Sequence, residues 1–244
     1  ALAGVRVTVY VGNDAAPMKV AGIRALGADI VTVDGPAYAA EATARQNGEA
    51  EKRTYISPYN DPQVMAGQGT LGIELAEQDA DLDAVFIAVG GGGLIGGAGT
   101  ALKIRRPGIE IVGVWPDASP CMLRSLEAGR IVEADEYPTL SDGTAGAIEP
   151  GSITFAICQR VIDTRISVSE REIAAAMRRI GESERWIVEG AAGVALAGLI
   201  QQAERYRGRR VAVVLCGRNI ALDTYLRAVA PGQPRSGPDT NGGR

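Results

Sequence analysis

The sequence predicts an α/β protein with mostly parallel sheets flanked by helices, and three observations predict it. Short β-branched runs alternate with longer Ala-rich segments, the pattern of successive βα units. Val85-Phe86-Ile87-Ala88-Val89 is apolar at every position, as a strand covered by helices on both faces should be. The 244 residues are 46% hydrophobic but only 5% aromatic, which suits one or two cores of Ala, Val, Ile and Leu.

Taken in order, strands are expected near Val5–Val11, Asp29–Val33, Ala84–Val89, Glu110–Val114 and Val211–Leu215. Pro17 opens a first helix that runs to Leu26 and stops at Gly27, a residue suited to the left-handed turn after a helix. A second spans Tyr38–Gln46 and ends before Gly48. A third follows the glycines after Val89, over Ile95–Arg105. Ser169 with Glu172 three places on forms a capping box that starts another helix. The small-residue run Gly190–Gly198 makes one more, preceded by Glu189.

Ser57-Pro58-Tyr59-Asn60-Asp61-Pro62 concentrates turn formers and marks a domain boundary. Residues 1–61 hold too few βα units for an ordinary independent domain and read as part of a smaller α/β domain. Residues 62–230 form the larger one, and residues 231–244, rich in Pro, Gly and Ser, are expected to be a disordered tail. The opening Ala1-Leu2-Ala3-Gly4 has no basic region of a signal peptide and no initiator Met, which suggests an incomplete chain.

Charge excludes several partners. The net charge is −4 with both signs interspersed, so no basic face awaits nucleic acid. Gly and charged residues interrupt every apolar stretch short of the ~18 residues that a membrane span needs. Cys121, Cys158 and Cys216 are far apart and odd in number, against a disulfide framework or thiolate cage, and a reducing cytoplasm suits them. The chain has no His, which removes the usual base of Ser and Cys hydrolases and the commonest zinc ligand.

The main chemical signal is Gly90-Gly91-Gly92-Gly93-Leu94, directly after a buried strand and before a helix. Without Cβ atoms, successive N–H groups can turn toward one anion, and the helix N-terminus adds its positive end. The alternative is a packed βα turn that binds nothing. Gly91-x-Gly93-x-x-Gly96 also satisfies the dinucleotide fingerprint, with Asp117 after the next strand where a ribose-binding acid would stand. A nicotinamide-dinucleotide-binding module is therefore a rival.

Three further segments bear on the choice: Ala66-Gly67-Gln68-Gly69-Thr70, Val188-Glu189-Gly190-Ala191-Ala192-Gly193 and Cys216-Gly217-Arg218-Asn219. With the glycine loop, and in this order, they resemble the signature of fold-type II pyridoxal-phosphate (PLP) enzymes, the tryptophan synthase beta-like architecture. The resemblance is strongest to threonine/serine dehydratases and runs from Leu2 to Arg227. It implies that the amides of Gly90, Gly91, Gly92, Gly93 and Leu94 hold the cofactor phosphate and that Cys216 faces the pyridine nitrogen. A thiol there, unlike a carboxylate, cannot strongly hold that nitrogen protonated, which suits elimination. By itself Cys216 reads as a small buried residue ending a strand.

The resemblance also brings Glu189, Asp142 and Asn219 toward the site. By themselves, Glu189 reads as a helix cap, Asp142-Gly143 as a common turn and Asn219 as a turn stabiliser. Arg218 departs from the Gly usual in that motif. Relatives that bind an activating divalent cation place Glu where Trp115 stands, so no metal site is expected, and Trp115 reads as a core aromatic. The segment that carries the family's Schiff-base lysine does not occur. Lys19, Lys52 and Lys103 read as solvated helix or loop residues, so the catalytic residue is unassigned and the chain alone is expected to show no turnover.

The resemblance implies a dehydratase, or ammonia-lyase, that performs α,β-elimination on a small β-hydroxy amino acid such as threonine or serine, as a homodimer. The motifs around Trp115 and Ser141–Gly146 look closest to the hydroxyectoine-utilisation branch. Racemisation of serine or aspartate is the alternative within the family, since the same carbanion can be reprotonated on its other face.

Overall fold

The computed structural model describes residues 4–230; the tail expected over residues 231–244 lies outside the described residues. The first segment pairs β1 (Thr8–Gly12) with β2 (Asp29–Val33) in parallel, in register Thr8 with Asp29. Between them α1 (Pro17–Ala25) ends at Leu26, and Gly27 turns left-handed at φ 79°. After β2 comes α2 (Ala37–Ala50), longer than its sequence suggests. Gly48 does not stop it. A Cβ there would stand 3.2 Å from the Arg53 carbonyl oxygen and 3.3 Å from the Tyr55 Cβ, so this glycine lets the chain fold back against the helix.

The second sheet is parallel throughout and has the order β5-β4-β3-β6. Its strands are β3 (Ala84–Ala88), β4 (Glu110–Pro116), β5 (Thr164–Val168) and β6 (Val211–Val213). Alternation along β3 sorts the core: Val85, Ile87 and Val89 enter one apolar cluster, while Ala84, Phe86 and Ala88 enter another. The first cluster lies under α3 (Pro62–Gln78), α4 (Gly93–Arg105), α5 (Cys121–Ala128) and α6 (Ile153–Val161). The second is covered by α7 (Glu170–Glu184), α8 (Gly190–Gln201) and α9 (Leu222–Val229). Side chains such as Phe86 and Ile87 are wholly buried, each worth about 1.5–3 kcal/mol relative to exposure. Both faces of β3 are thus covered, as its unbroken apolar run requires.

β1 starts at Thr8, three residues later than expected, and β4 runs two residues further, to Pro116; two other strands differ more. β5 is an edge strand that alternates Arg165 and Ser167 with the buried Ile166 and Val168, too short an apolar pattern to stand out in sequence. β6 stops laddering at Val213, although Val214 N–H still donates to the Phe86 carbonyl at 3.0 Å.

Capping fixes two junctions that matter for the site. The Asp61 carboxylate accepts from the N–H groups of Gln63 (2.7 Å) and Val64 (3.1 Å), which starts α3. Ser169 and Glu172 form the full capping box that starts α7. Helices α3 and α4 then meet at very close range. A Cβ on Gly97 would lie 2.2 Å from the Met65 carbonyl oxygen, and one on Gly72 would lie 2.3 Å from that of Ala98. The Ala66-Gly67-Gln68-Gly69-Thr70 motif therefore lies on a packing helix.

Candidate cofactor site

The glycine loop leaves the buried strand β3 and enters α4 within five residues, and its conformation is fixed by what lies behind it. Gly92 is the α4 N-cap at φ 85°, where L side chains are disfavoured. Its carbonyl accepts from the Cys158 thiol at 3.7 Å, and the Gly91 carbonyl accepts from Thr154 Oγ1 at 2.7 Å. Both donors sit on α6, so the loop turns these carbonyls inward. Side chains are excluded as well: a Cβ on Gly91 would stand 2.5 Å from the Tyr59 ring, and one on Gly90 would stand 2.9 Å from the Thr144 backbone.

That leaves the donors. Among the described residues, no protein group accepts from the N–H of Gly90, Gly91, Gly92, Gly93 or Leu94, while Gly96 N–H already bonds the Gly92 carbonyl at 2.9 Å. Five unpaired amides at the start of a thirteen-residue helix suit a compact dianion, because helix N–H groups and the dipole favour negative charge together. A monophosphate fits this cradle.

Around the same end of the sheet stand the remaining candidates. Phe86 pairs with Val213, the last pair of that ladder, and Cys216 follows three residues on, facing Glu189. Cys216 lies beyond the strand end and is exposed, unlike the small buried residue that sequence alone suggests; Cys121 and Cys158 are buried, and all three are free. Protein packed around the Cys216 thiol, with the charge of Glu189, raises its pKa to about 11, so it is neutral at pH 7.

Glu189 is the N-cap of α8 by position, but its side chain makes no cap hydrogen bond. Its carboxylate occupies the space where a Cβ on Gly217 would be, and its N–H donates to the Gly217 carbonyl at 3.2 Å. Burial raises its pKa, Asp142 adds to the rise, and Lys19 and the Asn219 backbone oppose it. Asp142 opens a short 3-10 turn, Asp142–Thr144, in which Thr144 N–H bonds the Ser141 carbonyl at 2.9 Å. That turn backs Gly90, so Asp142, Glu189, Cys216 and Asn219 gather at one end of the sheet.

Sequence reasoning missed several participants. Tyr59 belongs to the turn cluster but is 9% exposed, with its ring under Gly91, its Cα and Cβ against Gly93 and its hydroxyl accepting from Glu149 N–H at 2.9 Å. An aromatic among turn formers was the available signal. Thr154 and Cys158 carried none. Lys19 is not a freely solvated residue, since its Nζ lies 2.9 Å from Asp142 Oδ2; Lys103 is likewise paired with Asp163, at 2.7 Å. Lys52 is exposed, as expected.

Asp117 and Trp115 also find their places. Asp117 accepts from Ser167 Oγ on β5, toward the edge strand and away from the glycine loop. Trp115 is fully buried in the first core, as expected of a core aromatic. Among the described residues, no group of three or more His, Cys, Asp and Glu is placed to hold a metal ion, and no helix is long and apolar enough to cross a membrane.

Comparison with known families bears on the cofactor. The pyridoxal-phosphate dependent enzyme family matches residues 1–217. The chain belongs to that family. Its cofactor is pyridoxal 5′-phosphate, whose monophosphate suits the free amides of the loop. An L-threonine ammonia-lyase of Thermotoga maritima is 34% identical over 234 residues, covering 96% of this chain and 58% of the relative. The processed form of threonine deaminase isoform 2 from Solanum lycopersicum superposes with a TM-score of 0.83 at 34% identity, over 91% of this chain and 65% of that one. A serine racemase from Dictyostelium discoideum gives 0.78 at 33% identity, over 89% and 70%. The chain thus spans little more than half the length of the ammonia-lyase it matches.

Proposed function

We propose that the protein carrying this chain is a PLP-dependent ammonia-lyase that converts a small β-hydroxy amino acid, such as threonine or serine, to a 2-oxo acid and ammonia. The observation that carries this reading is the glycine loop, with five amides free among the described residues and the Gly91 and Gly92 carbonyls turned inward, near a neutral thiol. In this reading the N–H groups of Gly90 to Leu94 hold the cofactor phosphate. When bound, PLP supplies a ring that draws electron density from the substrate Cα.

This chain's own groups bias the outcome. Cys216 keeps its proton at neutral pH and presents no fixed negative charge to a ring nitrogen, which favours loss of the β-hydroxyl. Glu189, half-buried between the Gly143 turn and Gly217, fixes the local charge, and the Asn219 backbone steadies that carboxylate. Racemisation of serine or aspartate stays the second reading, favoured by the similarity to a serine racemase.

The same reading takes residues 1–61 and 62–230 as two domains, with a small amino acid and a second copy of the chain as partners. An equilibrium titration of the 244-residue chain with PLP and with NAD tests the core of it. Saturable PLP binding, competed by inorganic phosphate, with no response to NAD is expected. Binding of NAD with indifference to PLP would overturn it.

A further inference from the structure

Lys19 joins parts of the molecule that are far apart in sequence. It sits on α1, beside the two-stranded sheet, yet its Nζ pairs at 2.9 Å with Asp142, on the turn that backs Gly90 of the cradle. The pair is partly shielded, with 29% of the Lys19 side chain and 53% of Asp142 exposed. Glu189 lies across the same turn, its Oε1 3.7 Å from where a Cβ on Gly143 would stand. The charged and titratable groups facing Glu189 are Lys19 from α1, Asp142 from the turn and Cys216 from the loop after β6. Lys19 thus pairs with Asp142 and also attracts the Glu189 carboxylate, which in turn faces Cys216.

We propose that Lys19 is a positioning residue for the cofactor site: it clamps the first sheet region onto the Asp142 turn and holds the Glu189 carboxylate charged beside Cys216. The physical reason is the balance of charge. Without Lys19, Asp142 and Glu189 would face each other across one short turn without that counter-ion, and repulsion would move the turn or protonate Glu189. Either change alters what stands next to the cradle and the thiol. The inference rests on the PLP reading for its meaning, but its charge coupling can be measured without cofactor.

The test uses the 244-residue chain labelled with 13C at the glutamate carboxyl carbon, with Glu189→Gln to assign the signal. Titration by NMR should show the Glu189 midpoint raised by about half a pH unit or more in Lys19→Met, and close to wild type in Lys19→Arg. Asp142→Asn, which removes the neighbouring anion, should lower it. PLP titration of the same proteins should show affinity reduced by roughly threefold or more in Lys19→Met and restored in Lys19→Arg. Opposite shifts for the two sides of the ion pair separate charge from general loosening, which would move both the same way.

An unchanged Glu189 midpoint in Lys19→Met, shifts of the same sign in Lys19→Met and Asp142→Asn, or unaltered PLP affinity in Lys19→Met would each overturn the role. Should Lys19→Met fail to fold, Asp142→Asn carries the test, and a midpoint that does not fall refutes the coupling. Failure of the wild-type chain to bind PLP would instead defeat the cofactor reading and leave the Lys19 result to be judged on the NMR shifts.

Discussion

At the scale of single residues, the cradle depends on two exclusions: no side chain may stand in the loop, and no protein acceptor may take its amides. Gly91 meets the first most severely, with atoms of the Tyr59 ring 2.5–2.7 Å from where its Cβ would stand. Gly91→Ala must displace either the ring or the loop, and a change of that kind in a packed region costs about 1–3 kcal/mol. PLP affinity is expected to fall at least about tenfold, equivalent to 1.4 kcal/mol, with a lower urea midpoint for the unloaded chain. Fluorescence or absorbance titration and urea denaturation measure the two effects. The glycine run itself was legible in sequence because four consecutive glycines have few other uses after a buried strand. Tyr59, Thr154 and Cys158 were not, since their work is to fill space and donate inward, and nothing in their local sequence marks it.

At the scale of elements, the decisive contact is between α3 and α4, the helix whose N-terminus forms the cradle. Gly72 and Gly97 allow backbone-to-backbone approach, with Ala98 and Met65 carbonyl oxygens where Cβ atoms would be. Gly72→Ala is therefore expected to push α3 away and destabilise the protein by about 1–3 kcal/mol, read as a lower urea midpoint at unchanged slope. Because α4 carries the free amides, PLP affinity should fall with it even though Gly72 lies far along α3 from the loop. Two helix starts were well marked, with Pro17 and Ser169 where capping chemistry puts them, whereas Asp61, which caps α3, sat unread in a cluster of turn formers. Stops were less so. Gly48 looks like a terminator but serves close packing inside α2, a use that depends on residues Arg53 and Tyr55 folding back onto it.

At the scale of the whole molecule, the first sheet region is joined to the second by polar groups as well as by chain. Arg45 on α2 pairs with Glu149 at 2.6 Å, Asn60 donates to the same carboxylate at 2.6 Å, and the Tyr59 hydroxyl bridges Glu149 N–H and Glu41. Burial raises the pKa of Glu41 above its usual 4.5, and Glu149 adds to the rise against the Tyr59 hydrogen bond and Arg45. The folded protein thus binds this proton more readily than the unfolded chain does, so stability falls as pH rises from the unfolded pKa through the folded one. Glu41→Gln keeps a hydrogen-bonding group without the charge, and it is expected to melt at a higher temperature than wild type at pH 7–8. The gap should close below about pH 4, where Glu41 is protonated in both states, as thermal denaturation across pH would record. The sequence by itself determined the α/β class, the both-face burial of β3, the phosphate-suited loop and the resemblance to PLP enzymes, because periodicity, glycine content and motif order are local properties. Only the tertiary structure decided that Lys19 meets Asp142 across 123 positions, that Glu189 turns from its helix toward Gly217, and that α6 holds the loop's carbonyls. Those contacts join segments whose separation in sequence carries no trace of their distance in space.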